Sequence, residues 1–355
     1  MNKHVFYPYI MLLVAVAILV SCKEDEVVDE AYAAQEAIIL DYLQENDLSD
    51  STQKDESGIY YQIITENRSG ISASTGDVLS IYYTAQAVDN QPYDAVTNNG
   101  SNEPVKMQFN TGSIFPVGLD ISLGLMEEGD TAIFYIPTSL AYEGLDELSS
   151  IIPANSVIIM TVELVGIQSE TEQDSEETLM IEAFISEQKL DSAIIDSTMI
   201  GGVWVRDTTM YLPVDSVELL PSGVYYKRTE EGQTNQTVNA GELADIQYLA
   251  YKMESYASGS SFDGTTGSDF FSFPLNDQAV ITGLDAGVDV MEREERALLI
   301  MPSRTAYGAS AFVTPRNRKD YLVEKDVIPT YASKVSPYQI LVFEVELLQP
   351  QPIVN

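Results

Sequence analysis

The chain has 355 residues, enough for two or three domains, and 45% of them are apolar, so packed cores are expected and a disordered acidic chain is not. A formal charge of −37 excludes nucleic acid as a partner, because phosphate backbones need clustered Lys and Arg, and it argues against adsorption to anionic lipid surfaces. Such acidity fits a solvated, secreted surface better than a partner code.

Lys3 gives the N-terminus a positive start, and an unbroken apolar run, Ile10 to Val20, follows. The run is short of the ~20 residues a spanning helix needs, so residues 1–21 read as a signal peptide. Leu19-Val20-Ser21-Cys22 resembles a bacterial lipobox, with Cys22 as the acylated first residue of the mature chain. An ordinary signal peptide with a chance cysteine is the alternative. Cys22 is the only cysteine, and processing removes His4, the only histidine. The mature chain then has neither histidine nor free thiol. That excludes a Ser-His-Asp triad, a Cys-His pair, a His- or Cys-ligated zinc site and any disulfide. Carboxylate chemistry and Ca²⁺ remain open in principle, but no EF-hand-like acidic loop is present, so neither metal nor cofactor is expected.

Residues 22–55 hold an acidic tether (Lys23 to Glu30) and a helix predicted over Ala31 to Leu48, with Ile39, Tyr42 and Leu43 on one face. Ile181 to Leu190 repeats the pattern of Ile39 to Leu48, with Ile181, Phe184 and Ile185 corresponding. The repeat unit is therefore a helix followed by a domain. The helix is either a dimerisation arm or a lid on its own domain, the second being the plainer reading. A first domain spans residues 56–168, opening on GIYYQII and closing on VIIMTVELVGI, both rich in β-branched and aromatic residues. Residues 169–222 hold a polar linker (Ser169 to Glu177), the second helix and an added segment. In that segment Val203-Trp204-Val205 and Met210-Tyr211-Leu212 suggest a small hairpin. GVYYKRT opens the second domain, residues 223–349, and residues 350–355 form a tail.

Within each domain the apolar period changes partway along. Phe271, Phe273 and Leu275 alternate as on a half-buried strand, while Leu284, Val288 and Met291 fall at i, i+4 and i+7, as do Leu119, Leu123 and Met126. An ordered set of short motifs surrounds these stretches. The second copy has Phe262-Asp263, Val280-Ile281-Thr282-Gly283, Met291, Ala306-Tyr307-Gly308, Val327-Ile328-Pro329 and Val345-Glu346-Leu347. The first has Tyr93-Asp94, Phe115-Pro116-Val117-Gly118, Met126, Ala141-Tyr142-Glu143, Ile151-Ile152-Pro153 and Val162-Glu163-Leu164. The set resembles the FKBP-type peptidyl-prolyl isomerase domain, twice over. With the lipobox and the Lys23-Glu24-Asp25-Glu26 that follows it, the chain resembles tandem FKBP-type lipoproteins of Bacteroidetes-like bacteria, some associated with gliding motility.

The resemblance implies an α+β fold: two domains, each an antiparallel sheet wrapped around a short helix and each preceded by an amphipathic helix. It implies prolyl isomerisation of X-Pro segments in envelope or exported client proteins, without a cofactor. It also implies a lipid anchor at Cys22 and an outer-membrane location, periplasm-facing or on the cell surface. The pocket it assigns to the second domain is Tyr248, Phe262, Asp263, Phe271, Val280, Ile281, Leu284, Tyr307 and Phe343. The Ile281 N–H and the Tyr307 hydroxyl would bind substrate carbonyls, Phe262 and Phe343 would wall the prolyl ring, and Asp263 would orient the Tyr248 side. Leu284 stands where the family usually has Trp. Alternation puts Phe271 and Phe273 on one face, leaving core and pocket open for either.

In the first domain Tyr83, Tyr93, Asp94, Phe115, Leu119 and Tyr142 persist, but Val105 and Met160 stand where aromatics are expected. Pro116, lacking an N–H, occupies the donor position. That domain reads as a weak or inactive copy kept for binding or spacing. A wholly non-catalytic scaffold in an envelope apparatus is the competing reading of the chain. Finally, the second copy spends about twice as many positions between Tyr307 and Phe343 as the first spends between Tyr142 and Met160. The excess carries Arg316, Arg318, Lys319 and Lys325. Because this loop borders the proline pocket in the family it resembles, the insertion is expected to overhang the second pocket, either as a tolerated surface insertion paired with surrounding acids or as a mobile basic lid.

Overall fold

The computed structural model describes residues 30–190, 197–200, 203–206 and 216–351. The residues read as a signal peptide (1–21), Cys22, most of the acidic tether and Met210-Tyr211-Leu212 lie outside the described residues. The first unit is α1 (Glu30–Glu45), β1 (Gln53–Lys54), β2 (Tyr60–Thr65), β3 (Val78–Ala87), β4 (Pro92–Val96), β5 (Val105–Gln108), β6 (Ile114–Phe115), α2 (Val117–Leu123), β7 (Thr131–Ile136) and β8 (Ile158–Gln168). The second begins with α3 (Glu170–Glu187) and a two-stranded hairpin, β9 (Ser197–Ile200) with β10 (Val203–Arg206). It continues through β11 (Glu218–Leu219), β12 (Tyr225–Glu230), β13 (Leu243–Lys252), β14 (Asp263–Gly264), β15 (Phe271–Pro274) and α4 (Thr282–Asp289). It closes with β16 (Arg296–Met301), β17 (Phe312–Val313), α5 (Lys319–Glu324) and β18 (Leu341–Leu347).

The two large sheets have the same antiparallel order, β1-β2-β7-β8-β3-β4 and β11-β12-β16-β18-β13-β14, with β5 and β15 also pairing β3 and β13. Each sheet is apolar on both faces, which explains runs such as TAIFYI and ALLIM that alternation alone would not produce. On the inner face of the first sheet, Tyr83, Phe134, Met160 and Val162 pack against Leu119, Leu123 and Met126. On the outer face, Tyr60, Tyr135, Val157 and Ile159 pack against Ile39 and Leu43 of α1. The second sheet repeats this, with Leu299, Phe343 and Val345 facing Leu284, Val288 and Met291. Leu298, Ile300 and Val342 on its outer face meet Ile181, Phe184 and Ile185 of α3. Each preceding helix is thus a cover on its own domain.

The covers are also pinned by one polar residue at equivalent places. Gln35 accepts a hydrogen bond from the Thr138 N–H, and Glu177, buried, accepts from both the N–H and the hydroxyl of Ser303 at 2.7 Å. Both targets are the first residue after the proline that ends an inner strand.

Four sequence boundaries move. Ser169 to Glu177 is no linker but the N-terminal half of α3. Ser169 caps it in a capping box with Glu172, and Gln173 and Glu177 are buried. The polar composition reflects a capped helix start and polar ties to both domains, Lys106 to Gln173 and Glu176 on one side and Ser303 on the other. The added hairpin forms between residues 197–200 and 203–206, so the partner of Val203–Val205 lies upstream. The sheets start earlier than residues 56 and 223, because the short polar strands β1 and β11 already pair with β2 and β12. Their turns close at Gly58 and Gly223, whose φ values of 92° and 90° suit only glycine. The first helix ends at Glu45 instead of Leu48.

Truncating Ile39 or Ile181 to Ala should cost about 2–5 kcal/mol of the stability of its own domain, read by urea unfolding. Glu177→Ala, which strands the buried Ser303 N–H, should cost about 1–3 kcal/mol. Glu177→Gln should cost less, since Gln35 makes the same bond in the first domain; equal losses would discount the hydrogen bond.

Candidate functional sites in the two domains

The second site forms where the concave face of the sheet meets the start of α4. Gly283 lets helix and strand approach: a Cβ there would lie 2.7 Å from Met301 Sδ and 2.9 Å from the Thr305 carbonyl. The helix start is thereby held under the loop that carries Tyr307. Tyr248 on β13 stacks on Phe343 of β18, with ring centroids 5.7 Å apart and planes at 11°, and meets Phe271 of β15 edge-on at 6.1 Å. Its hydroxyl donates to Asp263 at 3.3 Å, and Lys334 holds the other carboxylate oxygen at 3.2 Å. Burial and the Asp263 charge push the Tyr248 phenol up to about 12, so it is a neutral donor at any physiological pH. Leu284 is buried beneath, while Phe262, Val280, Ile281 and Tyr307 are half-buried around the rim. Among the described residues neither the Ile281 N–H nor the Tyr307 hydroxyl has a hydrogen-bond partner.

The structure therefore gathers all nine residues assigned to the second pocket. Of the two alternating phenylalanines, Phe273 belongs to the core and Phe271 is exposed at the rim. Lys334 and Tyr331 escaped the sequence reading. Tyr331 stacks on Tyr307 at 4.7 Å and 23°, and with Ala279 to Ile281, Arg304 and Ala306 to Gly308 it lines an open groove of about 510 Å³. Its only sequence signal was an aromatic shortly after Val327-Ile328-Pro329.

The first site has the same frame and a different content. The Tyr83 hydroxyl donates to Asp94 at 2.9 Å, and the Tyr93 and Tyr142 hydroxyls share a hydrogen bond at 3.0 Å. Phe115 meets Tyr142 edge-on at 5.6 Å, and Leu119 is buried. Burial, then the nearby Asp94 charge, holds the Tyr83 phenol far above its ordinary range, and burial does the same for Tyr93 and Tyr142. Pro116 caps α2 with φ −75° and ψ 154°, close to the −58° and 142° of Ile281 at the start of α4. Proline keeps the capping dihedrals and removes the donor, and the Phe115–Pro116 bond that leads into it is cis.

The cup so formed is filled by the second domain. Strand β17 runs parallel to β6, and the Phe312 and Thr314 N–H groups donate to the Ser113 and Phe115 carbonyls at 2.8 and 3.0 Å. The Phe312 ring meets Tyr83 edge-on at 5.6 Å and joins the core of the first domain. The Tyr142 hydroxyl donates to the Thr314 carbonyl at 2.8 Å, Pro315 is buried, and the Thr314–Pro315 bond is cis. Arg316 forks onto Asp94, with Nε and Nη2 at 3.0 and 2.9 Å from Oδ1, while its backbone N–H reaches Oδ2 at 2.8 Å.

Most of the basic stretch of the insertion thus does not overhang the second pocket as the family resemblance implied. Arg316 pairs with Asp94, Arg318 donates to Ser150 at 3.2 Å, and Lys325 lies 3.8 Å from Glu147, all in the first domain. Tyr331 and Lys334 turn back to the second site, and Val335 joins the second core. The reason is apolar: Ala311 and Val313 form a small core with Leu322 and Ile328 against Phe115 and Leu145, and Phe312 needs a deeper pocket. Counting charges in the insertion missed Ala311-Phe312-Val313 just ahead of them.

A family model described as FKBP-type peptidyl-prolyl cis-trans isomerase matches residues 70–165 and 234–348, together more than half of the chain. Among curated proteins, the chain is 33% identical over 94 residues to FK506-binding protein 1A of Aspergillus fumigatus, covering 26% of this chain and 80% of that one. It is 32% identical over 102 residues to FK506-binding protein 2 of Yarrowia lipolytica, covering 29% and 68%. To the isomerase FkpA of Aeromonas hydrophila it is 29% identical over 128 residues, covering 36% of this chain and 45% of that one. The chain spans less than half the length of the FkpA proteins it matches. On the repeated sheet, the repeated cup and these matches, the chain belongs to the FKBP-type peptidyl-prolyl cis-trans isomerase family.

Proposed function

We propose that the second domain isomerises X-Pro bonds in envelope or exported client proteins, and that the chain is held at the outer membrane by a lipid on Cys22. The carrying observation is that the second cup has its aromatic wall assembled while its two carbonyl-facing donors stay unpartnered. Rotation about an X-Pro bond meets a barrier of ~18–20 kcal/mol because the planar amide is resonance-stabilised. At the twisted state that resonance is lost and the C–N bond is less polar, so a water-poor apolar cup favours it over the planar forms. Phe262, Phe343 and Tyr248 wall the ring, Leu284 floors it, and the Ile281 N–H and Tyr307 hydroxyl hold the flanking carbonyls. No nucleophile, metal or general base takes part, in keeping with a mature chain free of histidine. Lys334 on Asp263 keeps the Tyr248–Asp263 pair from presenting a bare negative charge to the client.

A second reading, a non-catalytic scaffold, draws on the filled first site and on Leu284 in place of Trp. It requires X-Pro peptides to bind without turnover. A protease-coupled or NMR-exchange assay on the full chain separates the two, and absence of turnover would favour the scaffold.

Three outcomes are expected. Tyr307→Phe lowers kcat/KM about fivefold, equivalent to one net hydrogen bond of ~1 kcal/mol. Unchanged turnover would remove Tyr307 from the site. Tyr331→Ala, which frees the Tyr307 ring, lowers kcat/KM by about two- to tenfold, the range of an aromatic pair worth ~0.5–1.5 kcal/mol. For anchoring, Cys22→Ser moves the protein from the detergent phase to the aqueous phase, and a mature N-terminus elsewhere than Cys22 would sink that assignment.

A further inference from the structure

The groove of the first domain lacks the Pro116 donor yet is not a collapsed copy. It holds five consecutive residues of its own chain, of which Phe312 and Val313 pair as a strand and Arg316 opens a short 3₁₀ turn. From these contacts we infer that Phe312–Arg316 is an in-chain ligand, and that the first domain is a peptide site for segments with an aromatic three residues before a proline and a basic residue directly after it. This goes beyond the isomerase assigned to the second domain and stands whether or not that domain turns over.

Phe312, Val313, Arg316 and the Thr314 main chain each meet a partner in the first domain. Phe312 fills the apolar floor against Tyr83, and Val313 and Thr314 are fully buried. Main-chain pairing with β6 replaces the donor that Pro116 cannot supply: here the ligand N–H groups donate to the groove carbonyls of Ser113 and Phe115. The Tyr142 hydroxyl takes the carbonyl just before the proline.

Asp94 then selects the residue after it. Its side chain is 8% exposed, and Arg316 is its one cationic partner among the described residues. A carboxylate so enclosed needs a counter-charge, and a fork that also reaches the Ala95 carbonyl at 2.8 Å favours Arg over Lys. Asp263, the equivalent residue, is 43% exposed and is neutralised by Lys334 of its own domain, so the second site carries no such demand. A tethered ligand competes at an effective concentration of order millimolar, which keeps free peptides out while the segment is seated.

The test uses the full chain and a fluorescein-labelled synthetic peptide copying residues 309–318, read by anisotropy. The double variant Phe312→Ala, Arg316→Ala should bind the peptide at least about tenfold more tightly than the unaltered chain, the gain expected on removing a tethered competitor. Adding Asp94→Asn should cancel the gain, and a peptide with Glu in place of its first Arg should not bind. Arg316→Glu, which keeps Phe312 and sets like charges face to face, is the second variant and should give the same gain if the first does not fold. Equal affinity for the unaltered chain and the folded variants overturns the proposal. So does a gain that survives Asp94→Asn, which would place the peptide in the second site.

Discussion

A sheet that is apolar on both faces cannot stand in water with one cover, and this constraint organises the molecule. In each domain the short helix under the concave face and the long helix on the convex face together satisfy it. The short helix is too small to fill the concavity, so a cup remains, lined by tyrosines and phenylalanines with their hydroxyls toward the rim. Function in this fold follows from that shortfall in cover. In one domain the cup stays open, and in the other a neighbouring segment completes the core.

Charge sets the second condition. At −37 the two halves of the chain repel, and the few basic residues offset this most usefully where the halves meet. Lys106 pairs with Glu176 of α3, while Arg316 and Lys325 reach Asp94 and Glu147 from the insertion. Exposed pairs of this kind contribute little singly. The Asp94 pair differs because its carboxylate is enclosed and hydrogen-bonded on both oxygens, and there the geometry, not the count of charges, carries the stability.

Much of this was legible in the sequence where a residue's role is local. The repeated i, i+4, i+7 faces placed α2 and α4, although Met126 and Met291 lie just past the ends of those helices while still buried. The paired motifs brought Tyr248, Asp263, Tyr307 and Phe343 to one cup as their order suggested. What escaped was set by distant partners. Ser169 to Glu177 looked like a linker because its burial is polar and its partners lie in other elements. Ala311-Phe312-Val313 carries no period of its own, and its burial is dictated by a groove some two hundred residues earlier. Tyr331 is placed by the fold of the insertion alone.

The junction between β8 and α3 has a mechanical consequence. Strand and helix are joined through Ser169 alone, and that residue is locked by its capping box. The two domains are therefore mounted on a strut with one short pivot and no slack. Withdrawal of Phe312–Arg316 cannot let the halves drift apart; it can only tilt them about that pivot, with the freed segment still close to the groove it left. Recapture is then an intramolecular event over a short path, so each opening is brief, and any competitor must arrive while the hinge is ajar.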